Sequence, residues 1–352
     1  MNRQLNKNYF FIKLCILSFF LLAAETVYRL PVFAEASAPF SIRSLKEDGE
    51  VNEQGYYFFE GNPNEEETIT IEVMNNINEP LTIGVEAIPA QTNQNGITSF
   101  LSKENLDETL EFPFNTLVEN AKETIELGAG ETKKYTTKIN YPTKEWGGEI
   151  LGGFRFSQEN TAQSQQVTHK FAYTIGVLMR QKGIEVPVNE LNARNAKMSQ
   201  RNYRNVIEIN LQNKKPVSIR TMEIDAKVYY EDENEPTIHY KKENLRMAPN
   251  SNFDFGIPTF SQPIRAGNYR VELTVKADTE TYHFVKKFHV DASSANSLNN
   301  TALDVELPTP WLLYSAVGIG IILIFLILYL LLKNKIKGGG SRDNSQIVTK
   351  GN

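Results

Sequence analysis

Apolar and polar residues alternate with a period of two through most of this chain. In Thr68-Ile69-Thr70-Ile71-Glu72-Val73-Met74 the odd positions are apolar, the pattern of a strand with one buried face. Asn75-Asn76-Ile77-Asn78-Glu79-Pro80 reads as a turn, and Leu81, Ile83, Val85 and Ala87 resume the alternation. Tyr56–Glu60, Thr124–Leu127, Lys133–Tyr141 and Glu149–Phe156 predict further strands. Gly147-Gly148 can supply a positive φ for a tight turn before the last of them. The later sequence repeats the style in Phe171–Arg180, in Val206–Leu211, in the row Met222, Ile224, Ala226, Val228 and Tyr230, in Tyr269–Val275, and in Tyr282–Val290. Val217 and Ile219 fall out of phase with Met222 and its successors, which predicts a bulge or break near Arg220-Thr221. No long amphipathic helix interrupts this series. Short strands at regular spacing predict an all-β chain, two tandem immunoglobulin-like β-sandwich domains followed by one C-terminal transmembrane helix.

That helix is expected at Trp311–Leu332, 22 residues without a charge, enough to cross a hydrocarbon core of about 30 Å. Lys333, Lys335, Lys337, Arg342 and Lys350 follow it, and Asp304 and Glu306 precede it. A positive flank marks the cytoplasmic side, so the chain ahead of the helix is expected outside the cell membrane, facing the wall. The other end agrees: Arg3 and Lys7, an apolar stretch over 9–24, and Val32-Phe33-Ala34 before a cleavage point form a secretory signal. Cys15 is the sole cysteine, and Lys13-Leu14 before it do not make a lipobox, so the mature protein folds without disulfides. Leu307-Pro308-Thr309-Pro310 begins like a wall-sorting signal, but Pro310 and Trp311 replace the Thr-Gly pair that is cleaved. A permanent membrane anchor is therefore expected. The polar run Ser157 to Gln166 reads as a linker or a long inter-strand loop. The expected organisation is a signal peptide over 1–34, sandwiches over 35–160 and 161–292, a stalk over 293–310, the span over 311–332 and a basic tail over 333–352.

Charge separates the two halves. Residues 35–160 carry 23 acids and 9 bases, a net −14, whereas residues 161–309 carry 17 acids and 19 bases, a net +2. An acidic surface disfavours polyanions, so no nucleic-acid partner is expected. The second half could more easily meet an acidic protein.

Catalytic chemistry finds little support. The chain has four histidines, His169, His239, His283 and His289. His283 and His289 share a strand but lie about 20 Å apart at about 3.3 Å per residue. HExxH, paired CxxC, GxSxG and phosphate-loop signatures are absent, and no enzyme, metal or cofactor is expected. Glu65-Glu66-Glu67 and the acids of 231–235 lack the spaced Asp/Asn and Gly of a calcium loop and read as solvated turns. Aromatic residues are better binding candidates. Tyr56-Tyr57-Phe58-Phe59 puts rings on both faces of one strand: one face is core, and the other, Tyr57 with Phe59 or Tyr56 with Phe58, covers a loop or binds. Trp146, beside Gly147-Gly148, can stack on a sugar face or fold over a sandwich end. Trp146 and Tyr57 are the candidate glycan-binding residues.

Several strings, in order, carry a resemblance. They are Phe40-Ser41-Ile42 with Gly55-Tyr56-Tyr57, Val73-Met74-Asn75-Asn76, Leu127-Gly128-Ala129-Gly130-Glu131-Thr132 and Gly147-Gly148-Glu149-Ile150-Leu151-Gly152-Gly153. Later come Ile207 to Asn213, Met247-Ala248-Pro249-Asn250-Ser251 and Pro263 to Tyr269. With the anchor and basic tail, the chain resembles the WxL-interacting proteins of low-GC Gram-positive bacteria. The resemblance implies a first domain that binds peptidoglycan and a second, so-called host-binding domain, also implicated in contacts with a WxL-domain surface protein. It implies a cell-surface adaptor with those partners, some members contributing to adhesion to host matrix protein. The competing expectation is a membrane-anchored assembly chaperone for exported proteins, which would offer or complete a strand edge.

Overall fold

The computed structural model describes residues 38–102, 105–159, 171–305 and 311–337. The signal peptide over 1–34, the segment 160–170 with His169, the motif at 307–310 and the tail beyond 337 lie outside the described residues. The first unit comprises the described residues up to Asn192 together with Gln212–Met222 and Leu245–Phe253. The second comprises Ala193–Leu211, Glu223–Asn244 and the described residues from Asp254 onward.

The first unit is a β-sandwich. One sheet has three strands, β1 (Phe40–Leu45), β3 (Glu66–Asn75) and β8 (Thr132–Asn140), in the order β1-β3-β8. The other has five: β2 (Tyr56–Gly61), β4 (Leu81–Pro89), β7 (Lys122–Leu127), β9 (Glu149–Gln158) and β10 (Ala172–Gln181), in the order β2-β10-β9-β4-β7. A short hairpin, β5 (Gln91–Thr92) with β6 (Thr98–Ser99), follows β4. The alternation does what the sequence predicts: Ile69, Ile71 and Val73 of β3 and Ile83, Val85 and Ala87 of β4 are buried in one cluster with Phe154, Phe156, Val177 and Met179. Each such side chain contributes about 1.5–3 kcal/mol by leaving water.

β10 departs from the expected division. Its residues 172–181 fall inside the stretch assigned to the second sandwich. Here they pair antiparallel with β9 (Val177 opposite Gly152) and parallel with β2 (Val177 opposite Tyr57). The polar run between β9 and β10 therefore connects two neighbouring strands, the second of the two readings its composition allowed.

Strands β11 (Leu191–Arg201), β12 (Arg204–Asn213) and β15 (Ser251–Pro258) form a three-stranded sheet, and β14 (Ile238–Met247), β13 (Ile219–Tyr230), β16 (Gly267–Ala277) and β17 (Glu280–Val290) a four-stranded one in that order. This second sandwich buries Ile207, Ile209 and Leu211, Ile224, Ala226 and Val228, and Val271, Leu273 and Val275. The phase slip expected near Arg220-Thr221 is present within a continuous strand: Ile219 and Met222 are both buried, with Arg220 and Thr221 exposed between them.

Two buried asparagines close the turns after β3 and β12 in the same way. The Asn75 amide donates to Glu79 O and Gly128 O, both at 2.7 Å, and its oxygen accepts from Ile77 N–H at 3.0 Å. Asn213 donates to Val217 O at 2.7 Å and Ala248 O at 3.1 Å, and accepts from Lys215 N–H at 3.3 Å. Turn carbonyls that would otherwise lose water unpaired are thereby satisfied.

The stretch expected as a stalk begins as a helix, Ala292–Thr301. Asp291 caps it, accepting from Ser294 N–H at 2.8 Å, and these hydrogen bonds with Ser293 and Ser294 hold its carboxyl well below the usual range. Asn299 is buried and acts as a strand partner for Ile264, accepting from its N–H at 2.8 Å and donating to its carbonyl at 2.9 Å. The last helix runs over Trp311–Lys337; its segment Tyr314–Lys333, with mean hydropathy 2.8, is long and apolar enough to cross a bilayer.

Candidate functional site

Both aromatic candidates sit beside concave surfaces of the first unit, and both are themselves buried. Trp146 precedes the turn into β9. Its ring is 6% exposed and stacks on Tyr141 with centroids 5.7 Å apart, while its backbone N–H donates to the Gln181 side chain at 2.7 Å. So little exposure fits a side chain that closes the end of the sandwich core, the folded-over arrangement that its position in the sequence also allowed.

Above it lies a cleft of about 420 Å³, lined by Trp146, Phe112, Glu149, Lys214, Lys215 and Pro216 among others. Gly148 makes this wall possible. It has φ +83°, and a Cβ there would stand 2.1 Å from the carbonyl oxygen of Pro216. That carbonyl accepts the Glu149 N–H at 2.6 Å. The Glu149 carboxylate is buried, ion-paired with Arg180, and accepts the Ser218 N–H at 2.8 Å. At the mouth, Lys214 and Lys215 share Glu190 at 2.6 and 3.2 Å, and their hydrogen bonds hold the Glu190 carboxyl below its ordinary range. Lys144 pairs with Glu111 and lies over the Phe112 ring. Cations and anions here are matched in pairs, so the cleft leaves these charges already satisfied by one another. Among the described residues no group of three or more His, Cys, Asp and Glu is placed to hold a metal ion.

One buried carboxylate supports the same wall. Asp107 accepts from Thr109 N–H at 3.0 Å and Thr109 Oγ1 at 2.7 Å, from Gln212 at 2.9 Å and from Asn252 at 2.5 Å. Burial pushes its pKa up, but these hydrogen bonds outweigh burial and leave it below the ordinary aspartate value. A depressed folded pKa stabilises above the unfolded value, near 3.9, and that contribution is lost as pH falls through the folded value. Asp107→Asn, which turns an amide towards the Gln212 and Asn252 donors, is expected to cost roughly 1–3 kcal/mol at pH 7. Thermal melts from pH 7 to pH 2 check the linkage: the wild type should lose stability below about pH 4 more steeply than the variant.

Tyr57 is likewise a structural peg. Its hydroxyl lies 2.9 Å from Leu45 O and 2.6 Å from Thr70 O and accepts from Leu45 N–H at 3.1 Å. Burial raises its pKa, with the two carbonyl contacts opposing. The alternation left two possible faces for these four rings, and the choice is now fixed: Tyr57 faces the core with Phe59 half-buried beside it, while Tyr56 and Phe58 are 45% and 42% exposed. Tyr57 therefore cannot itself stack on a ligand. The groove beside it, about 480 Å³, is lined by these rings together with Lys46, Asn52, Glu53 and Gln54. Lys214 and Lys215 lie in none of the strings singled out in the sequence; their approach to Glu149 joins segments more than 60 residues apart in the chain.

Residues 40–158 match the family model described as WxL Interacting Protein, peptidoglycan binding domain, and residues 162–300 match WxL Interacting Protein, host binding domain. No curated protein matches the chain. Among solved structures it is similar to the E. coli chaperone DraB, at 13% identity over 67% of this chain and 95% of that one, with a TM-score of 0.27. It is also similar to the class 5 fimbriae chaperone CfaA, at 12% identity over 70% and 99%, with a TM-score of 0.29. A chain from a chaperone–tip adhesin complex of CFA/I fimbriae biogenesis matches at 13% identity over 71% and 99%, with a TM-score of 0.31.

Proposed function

Because the chain belongs to the WxL-interacting protein family, carrying both of its domains in order, we propose that it is a non-enzymatic cell-surface adaptor. Its first domain holds peptidoglycan, its second engages a WxL-domain surface protein, and its C-terminal helix anchors it in the cell membrane with the basic tail in the cytoplasm. Attachment to a host matrix protein through the second domain belongs to the same reading. The observation that carries it is the paired match of residues 40–158 and 162–300 to a peptidoglycan-binding and a host-binding domain. The net +2 of the second half against the net −14 of the first supports a division of labour, since only the second is free of a strong bias against acidic proteins.

The test uses the full chain in detergent. Incubated with insoluble peptidoglycan, it is expected to pellet with the wall material and to bring a purified WxL-domain protein down with it. A chain that stays in the supernatant over wall material ends the first half of the proposal. A WxL-domain protein that stays behind while the chain pellets ends the second.

A further inference from the structure

An edge strand that shows two rings to solvent needs a reason. Open edges are commonly blunted by charge, proline or a covering segment, because unpaired backbone and exposed apolar surface invite misassociation. Among the described residues, β2 is the outermost strand of the five-stranded sheet, paired on one side only, with β10. It nevertheless carries Tyr56 and Phe58 outward at 45% and 42% exposure. The groove of about 480 Å³ beside them falls within the range of small-ligand clefts, roughly 300–1,000 Å³.

The rings are held in place from behind. Tyr57 between them is fixed by its three hydroxyl contacts and stacks on Phe59 with centroids 5.6 Å apart and planes 15° apart. The Arg180 guanidinium lies over the Phe58 ring at 5.6 Å and is itself anchored on buried Glu149. The lining residues Asn52, Glu53 and Gln54 add amide and carboxylate groups. Asn52 is already oriented, donating to Tyr56 O at 2.8 Å and accepting from Gln54 N–H at 3.1 Å.

We propose that this groove, with Tyr56 and Phe58 as its platform, is where the first domain grips the glycan strand of peptidoglycan. The inference rests on the reading of that domain as peptidoglycan-binding and names the surface that does it. A pyranose presents C–H bonds on its flat face, which meet the electron-rich face of an aromatic ring, and hydroxyls at its rim, which need donors and acceptors. Rings at positions i and i+2 of a strand stand roughly 7 Å apart and address two neighbouring sugars. A neutral polysaccharide also suits a half-chain of net −14, which repels the anionic polymers that share the wall. A rigid platform loses little freedom on binding.

The experiment compares full-length variants in detergent for sedimentation with insoluble peptidoglycan stripped of anionic polymer. Tyr56→Ser and Phe58→Ser are each expected to weaken binding about tenfold, the scale of one lost stacked ring. Tyr56→Phe should bind within about twofold of the wild type, because the ring and not its hydroxyl carries the contact. Lys214→Ser with Lys215→Ser, in the other cleft, should leave binding unchanged. A second measurement does not depend on the variants: peptidoglycan should slow nitration of Tyr56 in the wild type and leave that of Tyr203, 63% exposed in the second unit, unaffected. Wild type that fails to pellet removes the domain assignment itself. Wild type that pellets while both serine variants pellet equally well, or while Tyr56 stays as reactive as before, overturns this groove as the site. Loss confined to the lysine variant moves the site to the cleft above Trp146.

Discussion

A fragment that stops at residue 160 is expected not to fold, although both the composition and the family boundary place a division there. β10 lies beyond that point, and it stands between β2 and β9 in the five-stranded sheet. Removing it takes Ile175, Val177 and Met179 out of the core, all of them buried. At about 1.5–3 kcal/mol per side chain this is roughly 5–9 kcal/mol, comparable with the whole stability of a typical domain. It also strips β2 of its one strand partner and leaves β9 with an open backbone edge, Leu178 and Val177 no longer opposite Leu151 and Gly152. Circular dichroism and hydrogen exchange on 35–160 should show a fragment without cooperative melting. A sharp thermal transition in that fragment would mean that β10 is dispensable.

Gly148→Ala is expected to destabilise the first unit by roughly 2–5 kcal/mol. Two costs add here. A left-handed φ of +83° penalises any side chain by about 1–2 kcal/mol. The new Cβ would also stand 2.1 Å from Pro216 O, a backbone atom that cannot rotate away. Forced overpacking of that kind costs about 1–3 kcal/mol. Relief requires moving the Pro216 carbonyl, which breaks its 2.6 Å hydrogen bond with Glu149 N–H and strains the Ser218 contact to the same residue. Chemical denaturation reads the cost directly, and Gly147→Ala, where a Cβ meets nothing within 4 Å, provides the matched comparison. Equal midpoints for the two variants would show that the Pro216 contact does not constrain the turn.

Much of the sandwich architecture was legible because a half-buried strand writes its geometry into every second residue. β3 and β4 are the clearest instances, with Ile69, Ile71, Val73, Ile83 and Val85 all inside. β11 and β14 escaped notice for the converse reason. Asn192, Arg194, Asn195 and Lys197 dilute the first, and Lys241, Lys242 and Glu243 the second, so that only their ends, such as Leu191 and Ala193 or Leu245 and Met247, are buried. Ala292–Thr301 passed for a stalk because small polar residues hide a helix whose buried residues are only Ala295 and Asn299. Aromatic content singled out the strand but left open which of its rings meet solvent, and these are Tyr56 and Phe58. Periodicity told which residues share a face, but not which face is inside; the hydroxyl contacts of Tyr57 with Leu45 and Thr70, far apart in sequence from one another, decide that. For Trp146 the sequence left two readings open, since a glycine-flanked indole looks the same in sequence whether it caps a core or meets solvent, and its burial places it at the core.

Because the Ala292–Thr301 helix is folded back through Asn299 onto Ile264, only Ala302–Pro310 separate it from the C-terminal apolar helix. Nine residues reach no farther than about 31 Å even when drawn straight. On the proposed reading of that apolar helix as the membrane anchor, these nine residues are a short leash: the end of the second unit that carries Asn299 is held within about 31 Å of where the apolar helix begins.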